Sequence, residues 1–176
     1  MNTIKTVSIV FYIGPGTLAE HLIRWWTKSP YAHCEFRRSD GYCHSNDRKN
    51  FVSRLEWIEM SAEAWEEIRI DLPGEIVERI ERRQLRKNGT LYDWKGVMFS
   101  QVFRLGLHSK NRWFCSKSNA DDLAYACRLM IKSRCRCYEP FIRRLEEFVR
   151  TPSQEFSPAS LHRVLSVSDK FRDNRV

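Results

Sequence analysis

The chain has 176 residues, a length that fits one domain better than two domains with separate cores. Its 7 glycines and 6 prolines exclude collagen-like and low-complexity classes. Lysine and arginine number 30 against 22 acidic residues, and this net charge of +8 favours acidic partners such as nucleic acid. The basic side chains are spread along ordinary helix faces, so nucleic-acid binding is the less favoured interpretation.

The longest apolar run lies around residues 9–13 and has about seven residues, whereas a membrane span needs about 20. Lys5 precedes this run, as in a signal peptide, but no small-residue cleavage site follows it. We therefore expect a cytoplasmic protein without a membrane span. In that compartment we expect reduced thiols at all six cysteines, which are Cys34, Cys43, Cys115, Cys127, Cys135 and Cys137.

The first elements predicted are a buried strand, a capped helix and a hairpin. Thr17 and Glu20 have the spacing of a capping box, which predicts a helix start. Ser39-Asp40-Gly41 predicts a turn between two strands. The predicted ranges are a strand over 6–13, a helix to about residue 26, and strands over 31–37 and 42–45.

The second half is predicted to be mostly helical. Asp121 and Asp122 lie early in the longest helix, where they suit the positive end of its dipole. The predicted ranges are a strand over 68–72, helices over 74–87, 93–104, 115–132 and 139–150, and a last helix opened by Ser157-Pro158. We find no internal repeat. The prediction is an α+β fold with one domain over residues 1–168 and a flexible tail over 169–176.

Cys115 is the thiol with the strongest chemical signal. It stands where an apolar pair meets the start of a predicted helix, and a helix N-terminus stabilises a thiolate. Arg112 and Lys117 would add to this effect, and the free N–H groups could hold an oxyanion. A buried structural cysteine is the alternative, and it is the commonest fate of this residue type.

His33 is the strongest candidate for a general base. Side chains alternate along a strand, so His33 and Glu35 share one face. A histidine of this kind can present one ring nitrogen to a thiolate while a partner holds the other. Candidate partners are Glu35 and, across the hairpin, His44, Ser45 or Asn46; a two-residue turn would place Asn46 opposite Glu35. A core histidine bonded to a carbonyl is the alternative.

The chain carries no convincing cofactor motif. Cys135 and Cys137 form a C-x-C, but zinc sites favour two matching C-x-x-C pairs. Gly14-Pro15-Gly16 follows a strand but lacks the remaining residues of a phosphate-binding loop. The other histidines, at 21, 108 and 162, have no partner at ligand spacing. We therefore expect no metal and no other cofactor.

Several short motifs follow one another in order along residues 5–165. They are a strand ending in glycine, the sequence SPYAH at 29–33, the Asp40-Gly41 turn, YDW at 92–94, WFCS at 113–116, and a closing Ser-Pro-x-x-Leu segment. In order and spacing they resemble the circularly permuted NlpC/P60 papain-like hydrolases, including small bacterial and phage members. The resemblance implies a papain-like α+β core in which a small antiparallel sheet packs against helices and the histidine precedes the cysteine.

The resemblance also implies roles for individual residues. Cys115 takes the nucleophile position, His33 takes the base position, and Tyr92 matches a tyrosine that can assist the oxyanion hole. The family's usual glutamate after the turn is not evident, so Glu35 is the preferred third residue, with Ser45 and His44 behind it. Two positions depart from the family pattern, namely Ala32 where serine is common and Lys117 where glutamate is common.

The sequence therefore predicts a cysteine hydrolase that cleaves an amide, isopeptide or related acyl bond. The substrates that the resemblance implies are peptides, peptidoglycan-type isopeptides or lipid acyl groups. Two alternatives stay open. One is a lipid acyltransferase-like thiol enzyme. The other is a non-catalytic basic module on the same fold that binds nucleic acid or an acidic protein through Arg104, Lys110 and Arg112.

Overall fold

The structure, a computed structural model, describes residues 3–47, 52–91, 115–133 and 146–166. Its strands are β1 (Ile4–Tyr12), β2 (His33–Arg37), β3 (Cys43–Asp47), β4 (Val52–Glu56) and β5 (Trp65–Pro73). Its helices are α1 (Leu18–Thr27), α2 (Gly74–Lys87), α3 (Cys115–Lys132) and α4 (Pro158–Ser166). Residues 146–150 are also helical, and Ser153–Glu155 form a 3-10 turn. The predicted α+β class is therefore confirmed.

The five strands form one antiparallel sheet in the order β4-β3-β2-β1-β5. β1 is flanked on both sides, because it pairs with β5 from Ile4↔Pro73 to Tyr12↔Trp65 and with β2 from Ser8↔Arg37 to Tyr12↔His33. A strand buried between two neighbours needs few polar side chains. This position explains the β-branched and aromatic run by which the strand was predicted.

The helices α2, α3 and α4 pack on the sheet and form a core with it. Alternate residues of β1 and β5 point into this core, as the two-residue period of a strand requires. The core side chains are Val7, Ile9, Phe11, Ile68, Ile70 and Leu72 from these strands, with Ile76, Ile80, Leu123, Met130 and Leu161 from the helices. The intervening residues of β1 and β5 are mainly polar and line an open groove.

The turn between β2 and β3 has three residues, which confirms the predicted turn over residues 39–41. The Arg38 amide donates to the Tyr42 carbonyl at 2.8 Å, which leaves residues 39–41 as the loop. Gly41 has φ 88°, a left-handed conformation that a residue without a Cβ adopts at little cost. Three-residue hairpin loops commonly place such a residue last.

This turn changes the residue that faces Glu35. The observed pairing is Phe36↔His44, and continuing it by one residue brings Ser45 opposite Glu35 instead of Asn46. The extra loop residue shifts β3 by one position against β2. Since side chains alternate, such a shift exchanges the residues on the two faces of β3.

Local signals predicted the helix boundaries well. The Thr17 side chain and backbone form the expected capping box with Glu20 at the start of α1. α2 and α3 have the predicted bounds, and α4 begins at Pro158. The strand β4, in contrast, was not predicted. The predicted helix over 93–104, the first part of the one over 139–150, and the predicted tail lie outside the described residues.

In the part of the chain that the structure describes, every helix is too short or too polar to cross a bilayer.

Candidate active site

Packing of α3 against β2 brings the two best candidate residues together. Cys115 is the first residue of α3 and is 7% exposed. It lies close enough to His33, the first residue of β2, for electrostatic attraction between the two side chains to raise the pKa of the histidine. The nucleophile candidate and the base candidate are therefore neighbours although they are far apart in the chain.

Glu35 forms a hydrogen bond with the His33 ring. The His33 Nε2 atom lies 2.9 Å from Glu35 Oε1, and the two side chains are 13% and 3% exposed. Both project from the same side of β2, as the alternation along a strand predicts. His33 Nδ1 is buried and has no hydrogen-bond partner within the described residues.

The electrostatics of this group favour a charged imidazole. Burial by itself lowers the pKa of His33, but the attraction and hydrogen bonds of Cys115 and Glu35 outweigh it and raise the pKa to about 9. Near neutral pH the ring is therefore an imidazolium between a carboxylate and a thiol. An imidazolium beside a cysteine favours the thiolate form of that cysteine. The arrangement can supply a nucleophile and a proton donor together.

Two polar contacts fix the beginning of α3. The Ser116 hydroxyl donates to the Phe156 carbonyl at 2.6 Å, which ties the helix start to the end of the 3-10 turn. One helical turn further on, Asn119 Nδ2 lies 3.4 Å from the Cys34 sulfur on β2. All four of these residues are buried. The position of Cys115 is thus set by buried contacts on both sides of the helix start.

A buried ion network joins α3 to α2. Lys87 Nζ lies 2.7 Å from Asp122 and 3.1 Å from Asp121, and Gln84 donates to Asp122 at 3.1 Å. Arg83 forms a further ion pair with Asp121. These carboxylates were predicted to interact with the helix dipole. In the structure their partners are the basic side chains of α2, which hold the nucleophile helix in place.

His44 does not occupy the orienting position. It is 1% exposed, neither ring nitrogen has a hydrogen-bond partner within the described residues, and burial lowers its pKa to about 4. Its strongest electrostatic neighbours are Asp122 and Lys87, so it lies beneath α3. His44 is therefore a neutral core histidine, and the bond to His33 Nε2 is made by Glu35 instead.

Other candidates are only partly placed. Ser45 lies on β3, where it pairs with Arg54 of β4. Its side chain is not among those that the structure describes. Tyr92 and the basic residues at 104, 110 and 112 also lie outside the described residues. Lys117, the departure from the family pattern, is 4% exposed in the first turn of α3.

The structure also contains a polar cluster that sequence reasoning missed. Tyr31 donates to Glu66 Oε2 at 2.6 Å, and His162 Nε2 lies 2.7 Å from Glu66 Oε1 and 2.9 Å from the Tyr31 hydroxyl. Ser166 contacts the other nitrogen of His162 at 2.9 Å. Burial and the Glu66 carboxylate raise the pKa of Tyr31, so it stays protonated.

This cluster supports the site from one side. Tyr31 is two residues before His33, and its ring stacks on His162 at 4.1 Å between centroids. The contacts therefore tie the beginning of β2 to β5 and α4. No local signal marks the cluster, because its members come together only through the pairing of β1 with both β2 and β5.

The described residues contain no group of histidine, cysteine and carboxylate side chains that could hold a metal ion. Comparison of the chain with protein-family models, with curated proteins and with solved structures found no match.

Proposed function

We propose that the chain is a cysteine hydrolase with a papain-like arrangement, similar to the circularly permuted NlpC/P60 hydrolases, that cleaves an amide, isopeptide or related acyl bond. The observation that carries the proposal is the proximity of Cys115 to a partly buried His33 whose Nε2 atom lies 2.9 Å from Glu35 Oε1. The proposed substrates are peptides, peptidoglycan-type isopeptides or lipid acyl groups, met in the cytoplasm.

In the proposed first step the Cys115 thiolate attacks the carbonyl carbon of the substrate, and the carbonyl π electrons move to oxygen. The backbone N–H groups at the start of α3 lie beside the reacting sulfur and can stabilise the oxyanion. Tyr92 is a proposed further donor. His33 then gives its proton to the leaving nitrogen or oxygen as the bond from the carbonyl carbon to that atom breaks, and an acyl-enzyme remains on Cys115.

In the second step water attacks the acyl-enzyme. His33, now neutral, takes a proton from the water and returns to the imidazolium form as the thiolate leaves. Glu35 keeps the ring oriented and stabilises its positive charge through both steps. Because the pKa of His33 is raised to about 9, the resting enzyme already holds the proton that the leaving group needs.

The proposal is tested with substitutions at both members of the pair. The substrate panel is a set of peptide amides, isopeptides and acyl esters. Cys115→Ser keeps the volume of the buried side chain, and His33→Ala removes the proton carrier. We expect each to lower kcat/KM by at least about 10³-fold and the double variant to lose no more than the worse single one, because groups that act as a unit are not additive. Cys127→Ala, on the same helix and equally buried, is the matched control and should keep its activity.

An active Cys115→Ser protein would overturn the hydrolase. It would favour instead the basic module that binds nucleic acid or an acidic protein, which predicts affinity that falls steeply with salt. Transfer of the acyl group to an added amine or alcohol in place of water would identify the acyltransferase alternative.

A further inference from the structure

A second thiol lies beside the proposed nucleophile. Cys34 follows His33 on β2, is completely buried, and has no part in the hydrolytic steps above. Asn119 Nδ2 lies 3.4 Å from the Cys34 sulfur. Residues four apart on a helix share a face, so Cys115 and Asn119 both project from α3 toward the beginning of β2. Cys34 is also close enough to Cys115 for that side chain to raise its pKa.

The two sulfurs differ in chemical state. Cys115 has the imidazolium of His33 as a neighbour, which favours the thiolate, the form that reacts with peroxides. Burial and the negative charge of Cys115 raise the pKa of Cys34 well above the usual range for a thiol, so Cys34 stays protonated. The pair therefore combines one sulfur that peroxide can oxidise, that of Cys115, with a neighbouring thiol that stays reduced, that of Cys34.

We propose that Cys34 is a resolving cysteine, which converts peroxide-oxidised Cys115 into a reversible Cys34–Cys115 disulfide. The inference rests on the proposed function, since it needs the same Cys115 thiolate. In the first step the thiolate attacks hydrogen peroxide: an S–O bond forms, the O–O bond breaks, sulfur is oxidised by two electrons, and water leaves after proton uptake. Oxidation removes the negative charge of Cys115, which is one of the causes that keep Cys34 protonated. In the second step Cys34 gives up its proton and attacks the sulfenic acid: the S–S bond forms, the S–O bond breaks, and the proton leaves with the hydroxyl group as water.

The disulfide would inactivate and protect the enzyme at once. It removes the nucleophile, and it intercepts the sulfenic acid before a second peroxide molecule converts it to the irreversible sulfinic acid. A dithiol reductant would then restore activity. Without Cys34 the same exposure to peroxide should end in permanent loss.

The test treats the wild-type protein and Cys34→Ala with hydrogen peroxide, blocks remaining thiols with N-ethylmaleimide, and maps the cysteine peptides by mass spectrometry. Cys127→Ala is the matched control, a buried thiol on α3 that is not among the contacts of Cys115 described above. We expect a Cys34–Cys115 linked peptide and full recovery of activity with dithiothreitol in the wild type and in the control. Cys34→Ala should accumulate sulfinic acid at Cys115 and recover no activity.

The two proposals fail in different ways. Sulfinic acid at Cys115 in the wild type, without the linked peptide, would overturn the resolving role and leave the hydrolase intact. A linkage of Cys115 to Cys135 or Cys137 would also overturn it. A Cys115 that resists peroxide while other cysteines oxidise would also overturn the resolving role, whereas the hydrolase is overturned only by an active Cys115→Ser protein. The peptide mapping of the wild-type protein needs no substitution. It therefore tests for the Cys34–Cys115 disulfide even if Cys34→Ala folds poorly.

Discussion

At the scale of single residues, the proton affinity of His33 depends on Cys115 and on one carboxylate, that of Glu35. Burial opposes protonation of the ring, and Glu35 and Cys115 together reverse that effect. Glu35 is itself nearly inaccessible, so its interaction with the ring is weakly screened by water. Its contribution to the site is therefore electrostatic as well as orienting.

Glu35→Gln should move the pH dependence of activity. In the wild type we expect kcat/KM to fall as the pH rises through about 9, because His33 then loses the proton for the leaving group. A hydrogen bond to a charged partner is worth about 1.5–3 kcal/mol. We therefore expect kcat/KM of the variant to fall at a pH about one to two units lower than in the wild type, and we call this fall the alkaline limb of the profile. The measurement is a pH profile of kcat/KM.

Glu66→Gln is the matched control for that profile. It changes a carboxylate that also binds a histidine, His162, but that makes no hydrogen bond with His33. Its alkaline limb should stay near the wild-type position. If the alkaline limb of Glu35→Gln is not shifted, we would conclude that Cys115 alone raises the proton affinity of His33.

His44 predicts a loss of stability in acid. Its pKa falls from the ordinary value of 6.5 to about 4 in the folded protein because the ring is buried near Lys87 and Arg38. The unfolded chain therefore binds this proton first, so the stability present above pH 6.5 is lost as the pH falls toward 4. Each pKa unit corresponds to about 1.4 kcal/mol, which sets a limit of about 3 kcal/mol. Urea unfolding at pH 7 and pH 4.5 measures it.

His44→Gln removes this titration while keeping a polar side chain of similar size. The difference in unfolding free energy between the two pH values should shrink by most of that amount. His21→Gln, a change at an exposed histidine of α1, should leave the difference unaltered. Equal pH dependence in His44→Gln and the wild type would mean that His44 takes up its proton in the folded state.

At the scale of elements, the placement of α3 depends on the ion network with α2. Asp122 is completely buried and is the partner of Lys87 at 2.7 Å. Removing one member of a buried pair leaves an uncompensated charge, which costs about 3–5 kcal/mol. Asp121, at 3.1 Å from Lys87, offsets a part of that cost.

Asp122→Ala should therefore lower the free energy of unfolding by about 3 kcal/mol, measured by urea denaturation. The exposed pair of Arg54 with Glu56 at 2.8 Å supplies the control, since surface pairs are worth about 0–1 kcal/mol. Glu56→Ala should change little. The double variant Lys87→Met/Asp122→Leu should be less destabilised than Asp122→Ala, because it leaves no unpaired charge. A loss in the double variant as large as in Asp122→Ala would assign the cost to packing.

The elements that could be predicted from sequence are those with local causes. The capping box of Thr17 and Glu20 lies within one turn, and it locates the start of α1. β4, in contrast, is a polar edge strand that exists through its partners. It pairs with β3 on one side, and on the other the Ser53 amide donates to the Thr90 carbonyl at 2.8 Å. Neither partner leaves a signal in residues 52–56.

The same distinction applies to the candidate site. Alternation along one strand predicted that His33 and Glu35 share a side, and a helix boundary marked Cys115. The cluster of Tyr31, Glu66 and His162 could not be predicted in this way, because it depends on the order of three strands in the sheet. Distant pairings of this kind carry no local period.

At the scale of the whole molecule, the cysteines differ sharply in their readiness to react. Burial raises the pKa of Cys34 well above its usual range, that of Cys43 to about 12 and that of Cys127 to about 11. These three thiols stay protonated in the folded protein. Cys115 is the one cysteine among the described residues with an imidazolium beside it. Cys115 thus differs from the other described cysteines in having a positively charged side chain beside its sulfur.

This difference predicts the order of alkylation across the molecule. Iodoacetamide reacts with thiolates, so at pH 6–7 the folded protein should be labelled first at Cys115, as measured by mass spectrometry of its peptides. Unfolding in urea should remove the preference, since all thiols then approach the ordinary pKa of about 8.5. His33→Ala should slow labelling at Cys115 without changing the other sites. Faster labelling of Cys135 or Cys137 than of Cys115 would contradict the activation of Cys115, because a thiolate paired with His33 should react ahead of any thiol that has to lose its proton first.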